Sequence, residues 1–287
     1  MIIIQSIQEM QQAIVTEKKN GHSIGFVPTM GYLHEGHLSL AERASQENDF
    51  VVMSVFVNPL QFGPNEDFDQ YPRNFEQDEQ YAKKAGVDVI FYPSIKEMYP
   101  NEPTVTVKVK RRTDVLCGQS RPGHFDGVAT VLSKLFNIVM PDRVYFGMKD
   151  AQQVAVVDGL ISDMNFPIKL VACPTVREED GLAKSSRNVN LSETERQEAP
   201  VLYDSLKKTK EVYETGERHA GKLKMVLKEN LNDRLNLGNL DYAEVLTYPD
   251  LEQTDRCNGK IIVALAVKYS RARLIDNIVL DEGEMSC

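Results

Sequence analysis

The chain has only four cysteines in 287 residues, at 117, 173, 257 and 287, and no two share a C-x-x-C spacing. That excludes the common zinc clusters and redox pairs and points to reduced thiols in a cytoplasmic setting. No apolar run approaches a membrane span, and Met1-Ile2-Ile3-Ile4-Gln5 lacks the basic flank and long apolar core of a signal peptide. A soluble cytoplasmic protein with no membrane partner is the expectation. Neither G-x-x-x-x-G-K-[ST] nor G-x-G-x-x-G occurs, which removes P-loop and dinucleotide readings. G-x-S-x-G is absent as well, and no carboxylate pair stands out as a glycosidase dyad. Positive charge is in deficit: 33 Lys and Arg face 42 Asp and Glu, for a net charge of −9. A broad nucleic-acid surface is therefore disfavoured, while a local basic pocket for a small anion such as ATP is not. Repeats and low-complexity tracts are also lacking.

What is present describes a folded α/β chain. Hydrophobic residues make up 42%, and the length suits one large or two smaller domains. Ile2–Ile4 reads as a short strand, and Ser6 caps a helix with Ile7, Met10 and Ile14 at helical spacing. Residues 23–27 and 50–57 are apolar strands of the kind that parallel sheets bury on both faces. Helices follow at 38–46, at 75–85 with Gly86 as the stop, at 125–139 and at 151–164. Strands are expected at 87–92, 143–146 and 168–172. Val105, Val107 and Val109 alternate with polar residues and read as a half-exposed hairpin or edge element. This alternation predicts a Rossmann-like, doubly wound parallel sheet. After Arg177 the texture changes. Long charged helices over 194–214 and 219–237, the second stopped by Gly238, precede three strands over 242–246, 260–267 and 273–279. That order predicts a smaller α+β C-terminal domain, with domains 1–175 and 176–287 meeting near Val176.

Four stretches can carry chemistry. In the first, a buried strand turns through Met30-Gly31-Tyr32-Leu33-His34-Glu35-Gly36-His37 into a helix. Free backbone N–H groups and the positive dipole end make such a place suited to phosphate. His34 and His37, three apart, share a face, and no third ligand follows at zinc-like spacing. In the second, a strand ends at Asn58-Pro59-Leu60-Gln61, where open α/β sheets bind ligands, and Gln61 offers both a donor and an acceptor. The third is Gly147-Met148-Lys149-Asp150, with Lys149 placed to neutralise phosphate, Asp150 as a helix N-cap and Gln153 one turn in. In the fourth, Lys184-Ser185-Ser186-Arg187-Asn188 sets two hydroxyls between two cations, a pattern suited to polyphosphate. Each taken alone is matched by a bland reading as a turn, a cap or a polar linker.

Taken in this order the stretches resemble the pantoate–β-alanine ligase family. The histidine turn resembles the HIGH signature of the wider nucleotidyltransferase superfamily, and Lys184–Arg187 its KMSKS counterpart. Asn58-Pro59, Gln61-Phe62, Glu66-Asp67, Tyr71-Pro72-Arg73 and Arg121–Val128 make the likeness specific. It implies that pantoate and ATP form pantoyl adenylate and pyrophosphate, and that the amine of β-alanine then displaces AMP. It implies that Met30–His37, Gly147–Asp150, Val176 and Lys184–Arg187 bind ATP, with His34, His37, Lys149 and Arg187 nearest the chemistry. Gln61 and Gln153 would hold pantoate. Magnesium would accompany ATP, with Glu66, Asp67 and Asp78 left open as its contacts, and the family is typically a homodimer whose C-terminal domain acts as a lid. Two positions depart from the family pattern: Lys184 stands where relatives commonly carry an apolar residue, and Met148 where they often carry a polar one. The rival readings are another small-molecule adenylyltransferase, which would need extra cations for a phosphorylated acceptor, and a non-catalytic ATP-binding module.

Overall fold

The computed structural model describes residues 1–64, 66 and 68–281, so Asp67 of the Glu66-Asp67 pair and Cys287 lie outside the described residues. Two compact units emerge from the chain path. One comprises Met1–Lys110, Arg121–Gly147 and Val156–Pro174; the other comprises Arg111–Ser120, Met148–Ala155 and Thr175–Cys287.

The first unit is built on six parallel strands: β1 (Ile2–Ile4), β2 (Ile24–Thr29), β3 (Phe50–Val55), β4 (Val89–Phe91), β5 (Arg143–Gly147) and β6 (Lys169–Cys173). Their order is β1-β4-β3-β2-β5-β6. From β2 the chain winds outward through β3 to β4, then returns to β2's other side for β5 and β6. The reversal makes the carboxyl ends of β2 and β5 a topological switch point, where open α/β sheets leave a ligand crevice. The helices up to β6 are α1 (Ile7–Lys19), α2 (Glu35–Glu47), α3 (Phe75–Lys84), α4 (Ile95–Met98), α5 (Leu116–Ser120), α6 (His124–Val139) and α7 (Ala151–Asp163), of which α5 and the start of α7, through Ala155, belong to the second unit. Val27, Met53, Ile90 and Tyr145 bury one sheet face with Ala41 and Ala44 of α2. The expected Ser6 cap is present, its Oγ accepting from Glu9 N at 3.1 Å, and Gly86 follows α3 with φ +81°.

Three expectations for this unit are corrected. The helix after the histidine turn begins at Glu35, three residues early, because His34 itself caps it. The strand from Phe50 stops at Val55, two residues early. The Val105–Val109 segment is not a strand. Val107 N donates to Thr130 Oγ1 at 2.9 Å and Val109 N to Asp126 Oδ1 at 2.8 Å. Side chains of α6 thus replace a neighbouring strand at Val107 and Val109, while Val105 is exposed.

The second unit has a three-stranded antiparallel sheet, β7 (Asn239–Thr247), β8 (Ile261–Lys268) and β9 (Arg273–Leu280), in that order. Its helices are α8 (Glu193–Glu198), α9 (Val201–Glu214) and α10 (Ala220–Asn232). Central β8 is buried on both faces. Ile261, Val263 and Leu265 join a core with Leu206 and Leu227 of the long helices, while Ile262 and Ala264 meet Ala151 and Ala155 of α7. The single helix expected over 194–214 is two, because Pro200 has no N–H to continue the ladder of α8. The next helix ends at Asn232, well short of Leu237. Glu198 takes the N–H groups of Asn236, Leu237 and Gly238 instead, and Gly238 is required by packing, since a Cβ there would lie 2.5 Å from Val267 Cγ1.

Glu195 ties this unit together. It closes a capping box with Ser192 at the head of α8, and it accepts the N–H of Ser270 at 2.9 Å. Those N–H groups hold its carboxyl at about 2, against about 4.3 for an unfolded Glu. The folded value is the lower one, so the unfolded chain binds the extra proton, and stability present above about 4.3 is lost as pH falls toward 2. Glu195→Gln is expected to flatten that part of a plot of Tm against pH. An unchanged acid limb in thermal melts would refute this.

Candidate active site

The histidine turn leaves β2 under tight backbone control. Thr29 Oγ1 donates to Ser54 O at 2.7 Å and accepts Gly31 N at 3.2 Å. Gly31 has φ +84° and Tyr32 φ +52°, so two consecutive residues are left-handed. A buried carboxylate, Asp78 of α3, receives the next two N–H groups, Tyr32 N on Oδ2 at 2.9 Å and Leu33 N on Oδ1 at 2.6 Å. Burial raises the Asp78 carboxyl above its ordinary range, and the two N–H donors offset part of that rise. Gly31 leaves no room for a side chain, since a Cβ would lie 2.9 Å from both Asp78 Oδ2 and Val55 Cγ1.

The two histidines form the cap of α2. His34 Nδ1 accepts Gly36 N at 3.1 Å, and His37 Nδ1 accepts His34 N at 3.3 Å. Their ring centroids are 4.1 Å apart. An imidazole whose Nδ1 accepts an N–H carries its own proton on Nε2 when neutral. Both rings therefore present Nε2–H donors at the positive end of the helix dipole. The expectation of free backbone N–H groups here is corrected. Those of Gly31, Tyr32, Leu33, His34, Gly36 and His37 are all bonded within the protein. The turn's side-chain donors toward a ligand are the imidazoles. Glu35, in the first helical turn, is exposed.

Gln61 ends a 3-10 turn, Pro59–Gln61, capped by Asn58. Its amide is fixed from both sides: Nε2 lies 3.1 Å from Met30 Sδ, and Oε1 accepts from Asn58 Nδ2 at 3.2 Å. Asn58 in turn accepts from the hydroxyl of Tyr99 at 2.9 Å, a phenol that burial pushes well above its ordinary range. The backbone of Gln61 is held as firmly. His124 Nδ1 donates to Gln61 O at 2.8 Å, and Arg121 donates to His124 Nε2 at 3.0 Å. Arg121 also grips Glu66 with two nitrogens, Nε at 2.8 Å and Nη2. Glu66 is held below the ordinary carboxylate range by the Arg121 bond and charge, which outweigh burial. A cavity of about 630 Å³ borders this region through Met30 and Asp78 and is lined further by Arg73 and Tyr92.

In the second unit, Met148–Asp150 form a 3-10 turn that runs directly into α7, with Asp150 the last residue before that helix. Lys149 Nζ lies 3.5 Å from Asp150 Oδ1. Asn277 of β9 donates from Nδ2 to the carbonyls of Met148 and Lys149, both at 2.9 Å. Its neighbour Asp276 takes both terminal nitrogens of Arg177 at 2.6 and 2.9 Å, fixing the start of the Val176–Arg187 stretch. That stretch doubles back on itself: Lys184 N donates to Val176 O at 2.9 Å, and the Lys184 ammonium pairs with Glu178 at 2.8 Å. Ser185 Oγ accepts Arg187 N at 3.3 Å and opens a short 3-10 turn. Gln152 is buried and spends its amide on the backbone of Arg112, Val115 and Cys117, whereas Gln153 is half-buried.

The first unit thus brings Met30–His37 and Gln61 together. In the second, adjacent residues of β9 hold the Gly147–Asp150 and Val176–Arg187 stretches from Met148 onward. Sequence reasoning considered Asp78 only as an open magnesium contact and missed its hold on the turn; it missed Tyr99, Asp276 and Asn277 altogether, and of these three Tyr99 left no signal. The other two left one, a pair of polar residues inside an otherwise apolar strand.

The acidic groups bear on magnesium. Among the described residues, no three His, Cys, Asp or Glu side chains cluster as a metal cage. Asp78 already holds two N–H groups and Glu66 an arginine. This donor set fits magnesium carried mainly by nucleotide phosphates and water, the usual habit of that ion.

Among the described residues no helix is long and apolar enough to cross a membrane. The family model described as pantoate-beta-alanine ligase matches residues 2–279. A pantothenate synthetase of Geobacillus sp. (strain WCH70) is 61% identical over 281 residues, covering 98% of this chain and 99% of the relative. One from Bacillus pumilus is 57% identical over 284 residues, covering 99% and 98%. The crystal structure of pantothenate synthetase from Thermus thermophilus is 45% identical with a TM-score of 0.91, covering 97% of this chain and 99% of that one. The Francisella tularensis pantoate-beta-alanine ligase, complexed with beta-gamma ATP and beta-alanine, is 37% identical with a TM-score of 0.79, covering 97% of each.

Proposed function

The chain belongs to the pantoate–β-alanine ligase family, and from that premise we propose that it joins pantoate to β-alanine through a pantoyl adenylate, releasing pyrophosphate and then AMP. The observation that carries this reading is the double-histidine cap of α2 at the β2–β5 switch point. In the first half-reaction a pantoate carboxylate oxygen attacks the α-phosphorus of ATP. A new P–O bond forms, the bond to the bridging oxygen breaks, and pyrophosphate leaves with the electron pair. No protein nucleophile is needed; the barrier falls when fixed donors meet the charge that builds on the phosphate. His34 and His37 supply Nε2–H groups for this, and Lys149 and Arg187 supply full positive charge. Met30–His37, Gly147–Asp150, Val176 and Lys184–Arg187 are assigned to ATP. Lys184 acts from within its loop, closing it on Val176, while Ser185, Ser186 and Arg187 meet the nucleotide. Magnesium, arriving with ATP, would supply further neutralisation of the phosphates.

Gln61 and Gln153 are assigned to pantoate. A primary amide suits a polyol acid because it can donate to one hydroxyl oxygen and accept from another hydroxyl. In the second half-reaction the amine of β-alanine attacks the acyl carbon, a C–N bond forms, and AMP departs with the electron pair. The amine's proton passes to water or to a phosphate oxygen. The Francisella tularensis complex supports ATP and β-alanine as ligands here. Family membership also leads us to propose a homodimer, which sedimentation equilibrium would test.

The deciding experiment follows pyrophosphate release from ATP and magnesium, with mass detection of products. Release that requires pantoate, with pantothenate and AMP appearing only on addition of β-alanine, is the expected result. A folded, ATP-binding protein with no pantoate-dependent release would overturn the assignment.

A further inference from the structure

We propose that Asp78 is the positioning residue of the ATP site, holding the histidine turn in its binding shape from a helix that the turn itself does not belong to. The inference deepens the reading above and rests on it. Three observations converge. The carboxylate is 1% exposed, yet burial of a charge is tolerated there, against a cost that its raised proton affinity records. Each of its oxygens accepts one N–H, and the two donors are consecutive, Tyr32 and Leu33, directly before the first histidine. Those residues follow the left-handed Gly31, and Tyr32 is itself left-handed at φ +52°. A non-glycine residue persists in that region only when its surroundings hold it there.

The arrangement resembles an anion nest, in which successive backbone N–H groups converge on a negative group. Here the protein fills the nest with its own carboxylate, reaching back 45 and 46 residues along the chain. With Tyr32 and Leu33 pinned, His34 enters α2 at a fixed angle, and the His34–His37 cap follows from that entry. Asp78 does not touch a reacting atom in this scheme; it acts through the backbone.

The test compares Asp78→Asn with the parent by calorimetric titration of ATP and by steady-state kinetics. Asparagine keeps the shape but turns one acceptor into a donor that faces an N–H. ATP affinity should fall at least tenfold while KM for pantoate stays within twofold. Introducing Tyr32→Gly, which takes positive φ without strain, should return at least threefold of the lost ATP affinity. Gly31→Ala provides a second route should Asp78→Asn fail to fold. Its Cβ would push against Asp78 Oδ2 and Val55 Cγ1, and it should produce the same ATP-selective loss without changing any charge. Parental ATP affinity in Asp78→Asn would overturn the proposal. So would equal losses for ATP and pantoate, or no recovery in the Tyr32→Gly background. A parent that binds ATP but makes no pantothenate would defeat only the ligase reading, because the titrations remain interpretable.

Discussion

His37→Ala is expected to lower kcat for pantoate-dependent pyrophosphate release by about 10²–10³, the usual effect of removing one preorganised donor from a developing charge. The side chain has two functions that can be separated. Its Nδ1 accepts His34 N and completes the cap; its Nε2–H is the donor assigned to phosphate. His37→Gln retains an acceptor suited to the third position of a capping box but places no imidazole N–H at the phosphate. It should therefore restore most of the thermal stability lost by the alanine variant, about 1 kcal/mol, while kcat stays low. Stopped-flow pyrophosphate detection with parallel melts checks both. Recovery of kcat in the glutamine variant would mean that the histidine serves only to shape the helix start.

Gly127→Ala should have the largest effect on stability, and its sign is diagnostic. By helix propensity alone, alanine inside α6 would be favoured by about 1 kcal/mol. Here its Cβ would fall 2.1 Å from Leu60 O, 2.4 Å from Leu60 C and 2.6 Å from Gln61 N. These are backbone atoms of the turn that carries Gln61, and Asn58 Nδ2 also bonds Gly127 O at 3.2 Å, so neither side has a flexible group to yield. Overpacking of this kind costs about 3 kcal/mol or more, corresponding to a Tm lower by about 6–12 °C in a chain of this size. Because the turn must move, KM for pantoate should rise as well. A variant as stable as the parent, with unchanged pantoate KM, would show that α6 does not approach the turn this closely.

Much of the architecture was legible because it depends on local pattern. Alternation of apolar strands with amphipathic helices is a consequence of burying both faces of a parallel sheet. The strands at Ile24, Phe50, Val89, Arg143 and Lys169 accordingly lie where the apolar runs lie. Ser6 and Gly86 announced a helix start and a helix stop because capping is a property of two or three adjacent residues. Two boundaries were missed for local reasons, the cap by His34 and the break at Pro200, and at two other places a partner distant in the chain had intervened. The backbone after α10 is taken by Glu198, and the Val105–Val109 segment is paired with side chains of α6 rather than with a strand. Hydrophobic period cannot distinguish a strand neighbour from a helix neighbour, since either can make alternate residues such as Val107 and Val109 face inward.

The sequence by itself determined the chemistry available to this protein: two histidines at a helix start, glutamines after strands, and cations beside glycine and serine. It also determined the family, because those groups occur in one order with specific flanking residues. The local helix cap puts the imidazole protons on Nε2, through backbone N–H groups two and three residues away that meet Nδ1. Tertiary structure decided how the turn and the glutamine are held. That Gln61 is fixed follows from Asn58, Arg121 and His124, and that the histidine turn keeps its left-handed path follows from Asp78. Residue type and spacing specify which donors and charges exist. The carboxylate that pins the turn, and the Met30 and His124 contacts that fix Gln61, come from groups 30 to 60 or more positions apart, and only the folded chain brings those together.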